Sequence, residues 1–364
     1  MGDRHLGNSS RKKSKVGTLR WKKNVLELID QRKLPFKETY VKCSSVECVA
    51  RSIKDMVVRG APAIGVAAAY GVALAALEFK GSDKKEFTDY INRGIEMLSR
   101  TRPTAVNLFW ALDRMKETLN ENKELAVKKI KEKLVKEAAG IEKHDLEINF
   151  KIGRNGKEVF KGKGNKLRIL THCNAGALAT SGYGTALGVI RHLNNSGNLS
   201  HVIVDETRPF LQGARLTSWE LYQEGITFFI ISDNMAAYFM SRGEIDAVLV
   251  GADRIALNGD TANKIGTLGL SVIAGFYGVP FYVAAPLSTV DIKIESGDNI
   301  PIEYRDNKEM REILGNSIIP EFMPVVNPAF DITPAGNITA IITEEGVIYP
   351  PYREGITRNF NGKS

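Results

Sequence analysis

From residue 167 onward the chain alternates short apolar runs with amphipathic stretches, and this alternation limits the possible folds more than any other feature. Leu167–Thr171, 201–204, 226–231, Ala247–Val250 and Phe281–Ala284 are each rich in β-branched or aromatic residues. Between them, 183–193, 211–224, 235–241 and 264–277 have helical character. Strands covered on both faces read as continuous apolar runs, and strand–helix alternation at this spacing predicts βαβ units around a parallel sheet. Residues 167–364 are therefore expected to form a Rossmann-like α/β domain.

The preceding residues follow a different pattern. Residues 18–42 are extended and punctuated. Ser44-Ser45-Val46-Glu47 then reads as a capping box, with the Ser44 hydroxyl and the Glu47 carboxylate satisfying free helix N–H groups. The helix it opens should reach Val58, where Arg59-Gly60-Ala61-Pro62 interrupts it. Further helices are expected over 63–79, 84–100 and 105–139, the last broken near Asn120. Residues 61–79 carry one charge, at Glu78, which suggests a membrane span. Their Ala, Gly and Val content gains little from lipid, so a buried, closely packed helix is the expectation. Between 142 and 166 the periodicity disappears, and Gly153, Gly156, Gly162 and Gly164 alternate with lysines. Glycine punctuation of this kind predicts a linker or short hairpin over 146–166. A mainly helical N-terminal domain with short leading strands is thus expected over 18–145.

Charge and cysteine content narrow the function classes. The formal charge is +8, but eight basic residues from Arg4 to Lys23 face only Asp3 in that stretch. The excess therefore belongs to a terminal arm, expected to be disordered over 1–17, and a nucleic-acid partner is not expected. Cys43, Cys48 and Cys173 form no CxxC pair and have no histidine cluster nearby, so neither a disulfide framework nor a zinc site is expected. A reducing cytoplasm is the natural compartment, and no secretory leader or membrane association is expected.

In parallel sheets of this kind ligands bind beyond the carboxyl ends of the strands. Those positions hold His172-Cys173-Asn174-Ala175-Gly176, Asp205-Glu206-Thr207-Arg208-Pro209, Ser232-Asp233-Asn234, Gly251-Ala252-Asp253-Arg254 and Pro286-Leu287-Ser288-Thr289. Asn258-Gly259-Asp260 and Asn263-Lys264 follow the fourth strand. Each residue alone has an ordinary structural role: a buried thiol, a turn aspartate, a helix cap. Their convergence on one crevice suits proton transfer on an anionic substrate. Gly182-Tyr183-Gly184-Thr185-Ala186-Leu187-Gly188 imitates a dinucleotide fingerprint, yet its first glycine comes about ten residues after the strand. The fingerprint requires a tight turn directly from strand into helix, so a nicotinamide cofactor is not expected.

Seven ordered motifs carry a family resemblance. They are Arg59-Gly60-Ala61-Pro62-Ala63-Ile64-Gly65, Arg102-Pro103-Thr104-Ala105-Val106-Asn107-Leu108, and Thr171-His172-Cys173-Asn174-Ala175-Gly176. Next come Glu206-Thr207-Arg208-Pro209 with Gln212-Gly213-Ala214-Arg215-Leu216-Thr217, and Gly251-Ala252-Asp253-Arg254 with Asn258-Gly259-Asp260. Asn263-Lys264-Ile265-Gly266-Thr267 and Asn327-Pro328-Ala329-Phe330-Asp331-Ile332-Thr333-Pro334 complete the set. Together they resemble the methylthioribose-1-phosphate isomerases of methionine salvage. That wider superfamily includes ribose-1,5-bisphosphate isomerases and regulatory subunits of the translation-initiation nucleotide exchange factor.

The resemblance implies a homodimeric aldose–ketose isomerase that uses neither a metal nor an organic cofactor. It implies that Asp253 is the acid/base and that Cys173 assists the transition state. It also implies that Arg59, Gly60, Ala61, Arg102, Gln212, Asn263 and Lys264 hold the sugar phosphate. The two relatives define rival expectations: a bisphosphate substrate would need a further cationic subsite, and a regulatory subunit would dispense with the thiol and carboxylate.

Overall fold

The computed structural model describes residues 14–103, 105–164 and 166–361. Its first strands, β1 (Leu19–Lys22), β2 (Val25–Ile29) and β3 (Tyr40–Cys43), pair antiparallel in a small sheet. Helix α1 (Val46–Lys54) follows. Its N-cap is Ser45, not the expected Ser44: the Ser45 hydroxyl accepts from the Cys48 N–H at 3.2 Å. Val46 has to turn inward as the first helical residue, and that moves the cap by one position. The tight β3–α1 connection also brings the Cα atoms of Cys43 and Cys48 to 5.2 Å, and the two are joined as a disulfide. No disulfide framework was expected, and this one local bridge qualifies that reading; Cys173 alone is free.

Helix α2 (Ala61–Glu78) is the apolar segment that resembles a membrane span, and 78% of it is buried inside the protein. It packs against α1, α3 (Lys84–Ser99), α4 (Val106–Glu121) and α5 (Val127–Val159). Its alanines and glycines permit these close approaches.

The expected linker over 146–166 is largely helix, because α5 runs on to Val159. Gly153 and Gly156 lie where α5 meets α6 (Ala186–Asn195). A Cβ on Gly153 would come within 2.4 Å of His192 Nδ1, and one on Gly156 within 2.3 Å of Val189 Cγ2. These glycines serve close helix packing rather than chain flexibility. The first half of α5 contributes Ile130, Leu134 and Ile141 to the helical core, whereas Ile152 joins the core beneath the sheet. One continuous helix therefore ties the two parts together.

The main sheet contains β4 (Leu167–Thr171), β5 (Leu199–Asp205), β6 (Phe228–Ile231) and β7 (Ala247–Val250). Helices α7 (Ser218–Glu224) and α8 (Ala236–Ser241) connect them. Beyond β7, the short strands β8 (Arg254–Ala256) and β9 (Thr261–Lys264) precede α9 (Thr267–Phe276) and β10 (Phe281–Ala284). Strand β11 (Val290–Asp291), helix α10 (Lys308–Arg311) and the hairpin β12 (Glu312–Ile313)–β13 (Asn316–Ser317) follow. The chain closes with β14 (Phe330–Thr333), β15 (Ala340–Thr343), β16 (Gly346–Ile348) and α11 (Tyr352–Asn361).

Strand order in the main sheet is β16-β15-β10-β7-β4-β5-β6, parallel throughout except for β15 with β16. From β4 the chain winds outward through β5 and β6, then returns to β4's other side at β7. The topological switch point therefore lies between β4 and β7, where an open α/β sheet leaves a crevice. A second sheet, β11-β8-β9-β14, caps that end. It was not expected, and it places Asn263 and Lys264 on β9 instead of at a helix start.

The arm expected to be disordered over 1–17 is also corrected in part; residues 1–13 lie outside the described residues. The Ser14 hydroxyl donates to Glu224 Oε1, and Val16 is buried with Ile29, Leu34, Leu178, Leu216 and Trp219. An apolar residue in a basic stretch thus anchors it to the sheet domain.

Candidate active site

Cys173 leaves the end of β4 with φ of +63°, a left-handed conformation uncommon for any residue but glycine. Two hydroxyls hold it there. Its N–H donates to Thr207 Oγ1 at 2.8 Å, and its carbonyl accepts from Thr217 Oγ1 at 2.6 Å. Thr207 is itself at φ +65°, which is rarer still for a β-branched side chain. Strained backbone persists only where its surroundings over-determine it. Here the restraint is a buried ionic chain: Glu220 accepts from Asn174 Nδ2 and from the N–H groups of Ala177 and Leu178, and pairs with Arg191 at 2.8 Å.

Across the switch point, Asp253 follows β7, its N–H donating to the Ala262 carbonyl at 2.9 Å. Burial pushes its carboxyl above the usual carboxylate range, against the opposing pull of Lys264, Arg305, Arg102 and Arg59.

The α1–α2 turn supplies Arg59 and Gly60. Arg59 Nη2 donates to Asn174 Oδ1 at 2.6 Å and to the Asn174 carbonyl at 3.1 Å, while its Nε has no protein partner. Burial lowers its basicity, an effect offset by Cys173, Asp253 and Glu220. Gly60 has φ +89°, and a Cβ there would meet the Ala179 backbone at 2.5–2.7 Å. This contact lets the start of α2, which has no side-chain cap, open onto the crevice beside Ala61. Free first-turn N–H groups favour an anion.

Lys264 donates from Nζ to the Ala329 carbonyl at 2.8 Å and lies 4.7 Å above the Phe330 ring. Burial, aided by repulsion from Arg305, pushes it down to about 8. Arg102 Nη2 and Arg305 Nε lie 3.4 and 3.3 Å from the two oxygens of Glu303. Gln212 precedes a widened helical turn, Gly213–Thr217, and its buried Oε1 has no protein partner. Buried polar groups are nearly always satisfied, so the orphan atoms of Arg59 and Gln212 fit a polar ligand.

All nine expected site residues converge. Cys173, Asp253, Arg59, Gly60, Ala61, Arg102, Gln212 and Lys264 line one crevice, and Asn263 joins several of them at its inner end. Asn263 Nδ2 donates to Thr267 Oγ1 at 3.0 Å. Other strand-end residues have framework roles. Asp233 accepts from the N–H groups of Thr207 and Arg208, and Asp260 accepts from those of Gly297 and Ala335. Sequence reasoning missed Arg305 and the apolar wall of Met56, Ile64, Ile300 and Pro301. Met56, Ile300, Pro301 and Arg305 lie in irregular segments without periodicity, so no sequence signal marks them.

The chain matches the Initiation factor 2 subunit family over residues 57–350. It is 56% identical over 346 residues to the methylthioribose-1-phosphate isomerase of Thermotoga neapolitana, covering 95% of this chain and 98% of the relative. The enzyme of that name from Caldicellulosiruptor saccharolyticus is 55% identical over 335 residues, covering 92% and 96%. The crystal structure of 5-methylthioribose 1-phosphate isomerase from Pyrococcus horikoshii superposes with a TM-score of 0.90 at 46% identity, covering 96% and 97%. A structure described as translation initiation factor eIF-2B, subunit delta, from A. fulgidus gives 0.84 at 43%, covering 94% and 99%. With matches of this extent and identity, the chain belongs to the Initiation factor 2 subunit family, in the branch of the methylthioribose-1-phosphate isomerases.

Proposed function

We propose that the protein is an aldose–ketose isomerase converting 5-methylthioribose 1-phosphate to 5-methylthioribulose 1-phosphate in methionine salvage. The observation that carries this reading is the pairing of Cys173 and Asp253 at the switch point of a crevice also lined by Arg59, Arg102, Lys264 and Arg305. Phosphate on the anomeric oxygen prevents ring opening by ordinary mutarotation. The ring oxygen must therefore be protonated as the C1–O bond breaks, and a hydrogen must pass from C2 to C1. Arg59, Arg102, Lys264 and the α2 N-terminus clamp the phosphate dianion, which fixes C1 and C2 against the catalytic pair. Asp253, with its raised carboxyl, donates the proton to the ring oxygen and later takes the proton from the C2 hydroxyl. Cys173 either carries the C2 proton to C1 through an enol phosphate or faces a direct hydride shift. Solvent deuterium at C1 of the product distinguishes these routes, because a pure hydride shift incorporates none.

The wall of Met56, Ile64, Ile300, Pro301 and Phe330 suits the methylthio group better than a second phosphate. The homodimer belongs to this proposal. Edge strand β6 exposes Phe229 and Ile230, with Tyr222 and Tyr238 exposed on the flanking helices, an apolar edge that a second copy would cover. A cytoplasmic location also belongs to it, since a phosphorylated sugar is retained there. Incubation with 5-methylthioribose 1-phosphate and, separately, ribose 1,5-bisphosphate, followed by NMR, tests the reading. Preferential conversion of the first is expected. Preference for the bisphosphate would overturn the substrate, and copurification with initiation-factor subunits without turnover would overturn the enzyme.

A further inference from the structure

His172 stands between β4 and Cys173 and is 1% exposed. Its Nδ1 lies 3.0 Å from Asp205 Oδ2, and its Nε2 lies 2.9 Å from the Ile265 carbonyl. A carbonyl oxygen only accepts, so Nε2 carries a proton. On the other side a single proton lies between imidazole and carboxylate. The Asp205 carboxylate and the nearby charge of Asp233 favour that proton on Nδ1, against the burial that raises the Asp205 carboxyl as well.

The groups facing the ring agree. Asp205 closes β5 and Glu206 follows it, Asp233 follows β6, and Asp331 on β14 caps α9 through the N–H groups of Gly266 and Leu268. The β9–α9 turn adds only backbone, with Gly266 packed 3.0–3.1 Å from the ring by the position a Cβ would take. Burial pushes the imidazole toward neutrality, but the hydrogen bond and charge of Asp205 and the charge of Asp233 leave it above its ordinary value.

His172, Asp205 and Asp233 lie close enough together to imitate a metal site. With both ring nitrogens donating, however, the imidazole has no lone pair to give. Both oxygens of Asp233 already accept backbone N–H groups at 2.7 Å.

The geometry points to His172 as a positioning residue: an imidazolium clamp that ties the β4 end bearing Cys173 to the turn that directly follows Asn263 and Lys264 on β9. It touches no reacting atom. Its bond to Ile265 holds the residue next to Lys264, and its chain neighbour is the thiol. The two sides of the crevice are thereby set at one separation. This rests on the anion-binding reading of the crevice, so its test includes readouts that need no turnover.

Glutamine places an amide N–H near the position of Nε2, and asparagine places one near Nδ1. His172→Gln therefore keeps the link to Ile265, whereas His172→Asn keeps only the link to Asp205. The clamp predicts that His172→Gln holds inorganic phosphate, by calorimetry, within a few-fold of wild type. His172→Asn should lose about ten-fold or more in phosphate affinity and a similar factor in kcat. A merely structural histidine would make the two variants equal in affinity at matched thermal stability, which overturns the proposal. Nitrogen NMR of ¹⁵N-histidine-labelled wild type provides the second measurement, needing neither variant nor substrate. Both His172 nitrogens should be protonated at pH 7; one unprotonated nitrogen there overturns the imidazolium. If phosphate binding follows this pattern while no sugar phosphate is isomerised, the clamp stands and the proposed reaction falls.

Discussion

Lys264 sets how the site responds to alkaline pH. Its ammonium is buried and pushed from 10.5 down to about 8, chiefly by loss of solvent and then by Arg305. The difference corresponds to about 3 kcal/mol against the charged form. The sign follows from the lowered value: the native state bears this cost in full below pH 8 and is relieved of it between 8 and 10.5, where the unfolded chain still binds the proton. Stability from this group therefore rises with pH over that window. Anion affinity moves the opposite way, because the phosphate loses its ammonium. The substrate phosphate is already a dianion above its second pKa of about 6, so the change lies in the protein. Affinity for a phosphate monoester by calorimetry should change little from pH 6.5 to 7.5 and fall toward ten-fold per unit well above pH 8. Lys264→Met should abolish this limb and weaken phosphate binding about ten- to hundred-fold at pH 7. It should also stabilise the fold by about 1–3 kcal/mol at pH 7, less than the full cost because Asp253 loses a cation and Ala329 a donor. Affinity that stays flat to pH 9.5, or a Lys264→Met variant less stable than wild type, would refute the reasoning.

Other substitutions test the supports of the site. Gly60→Ala forces a Cβ against the Ala179 backbone and adds strain at φ +89°, so phosphate affinity should fall by at least ten-fold and the melting temperature should drop. Glu220→Ala removes one of the two carboxylates paired with the buried Arg191 guanidinium, leaving Glu224, and frees the 174–178 turn, and should cost about 2–4 kcal/mol in denaturant unfolding. Cys48→Ser opens a disulfide spanning five residues, which should cost about 2 kcal/mol while leaving kcat unchanged.

The parallel sheet was legible because its strands are buried on both faces, and that leaves continuous apolar runs such as Ala247–Val250. The strand-end rule then located Cys173 and Asp253 before any strand order was known. Three features escaped for identifiable reasons. Gly153 and Gly156 read as chain breakers, although they answer to Val189 and His192 on a helix adjacent only in space. Asn263-Lys264 precedes a helical pattern, and only pairing with β14 makes it a strand. Arg305 reaches the crevice from an irregular stretch after α9 and β10, where neither periodicity nor a capping pattern indicates its direction. The orientation of Arg59, fixed through Asn174 and Glu220, likewise depends on contacts between residues 115 and 46 positions apart.

The central claim is that one thiol and one carboxyl, held at the switch point, isomerise a clamped sugar phosphate. Its most direct test is turnover of 5-methylthioribose 1-phosphate by wild type, Cys173→Ala and Asp253→Asn, with substrate affinity measured in parallel. Conversion by wild type is expected, with a fall in kcat of roughly 10²–10⁴ in each variant and affinity retained. Wild-type turnover in either variant would contradict it.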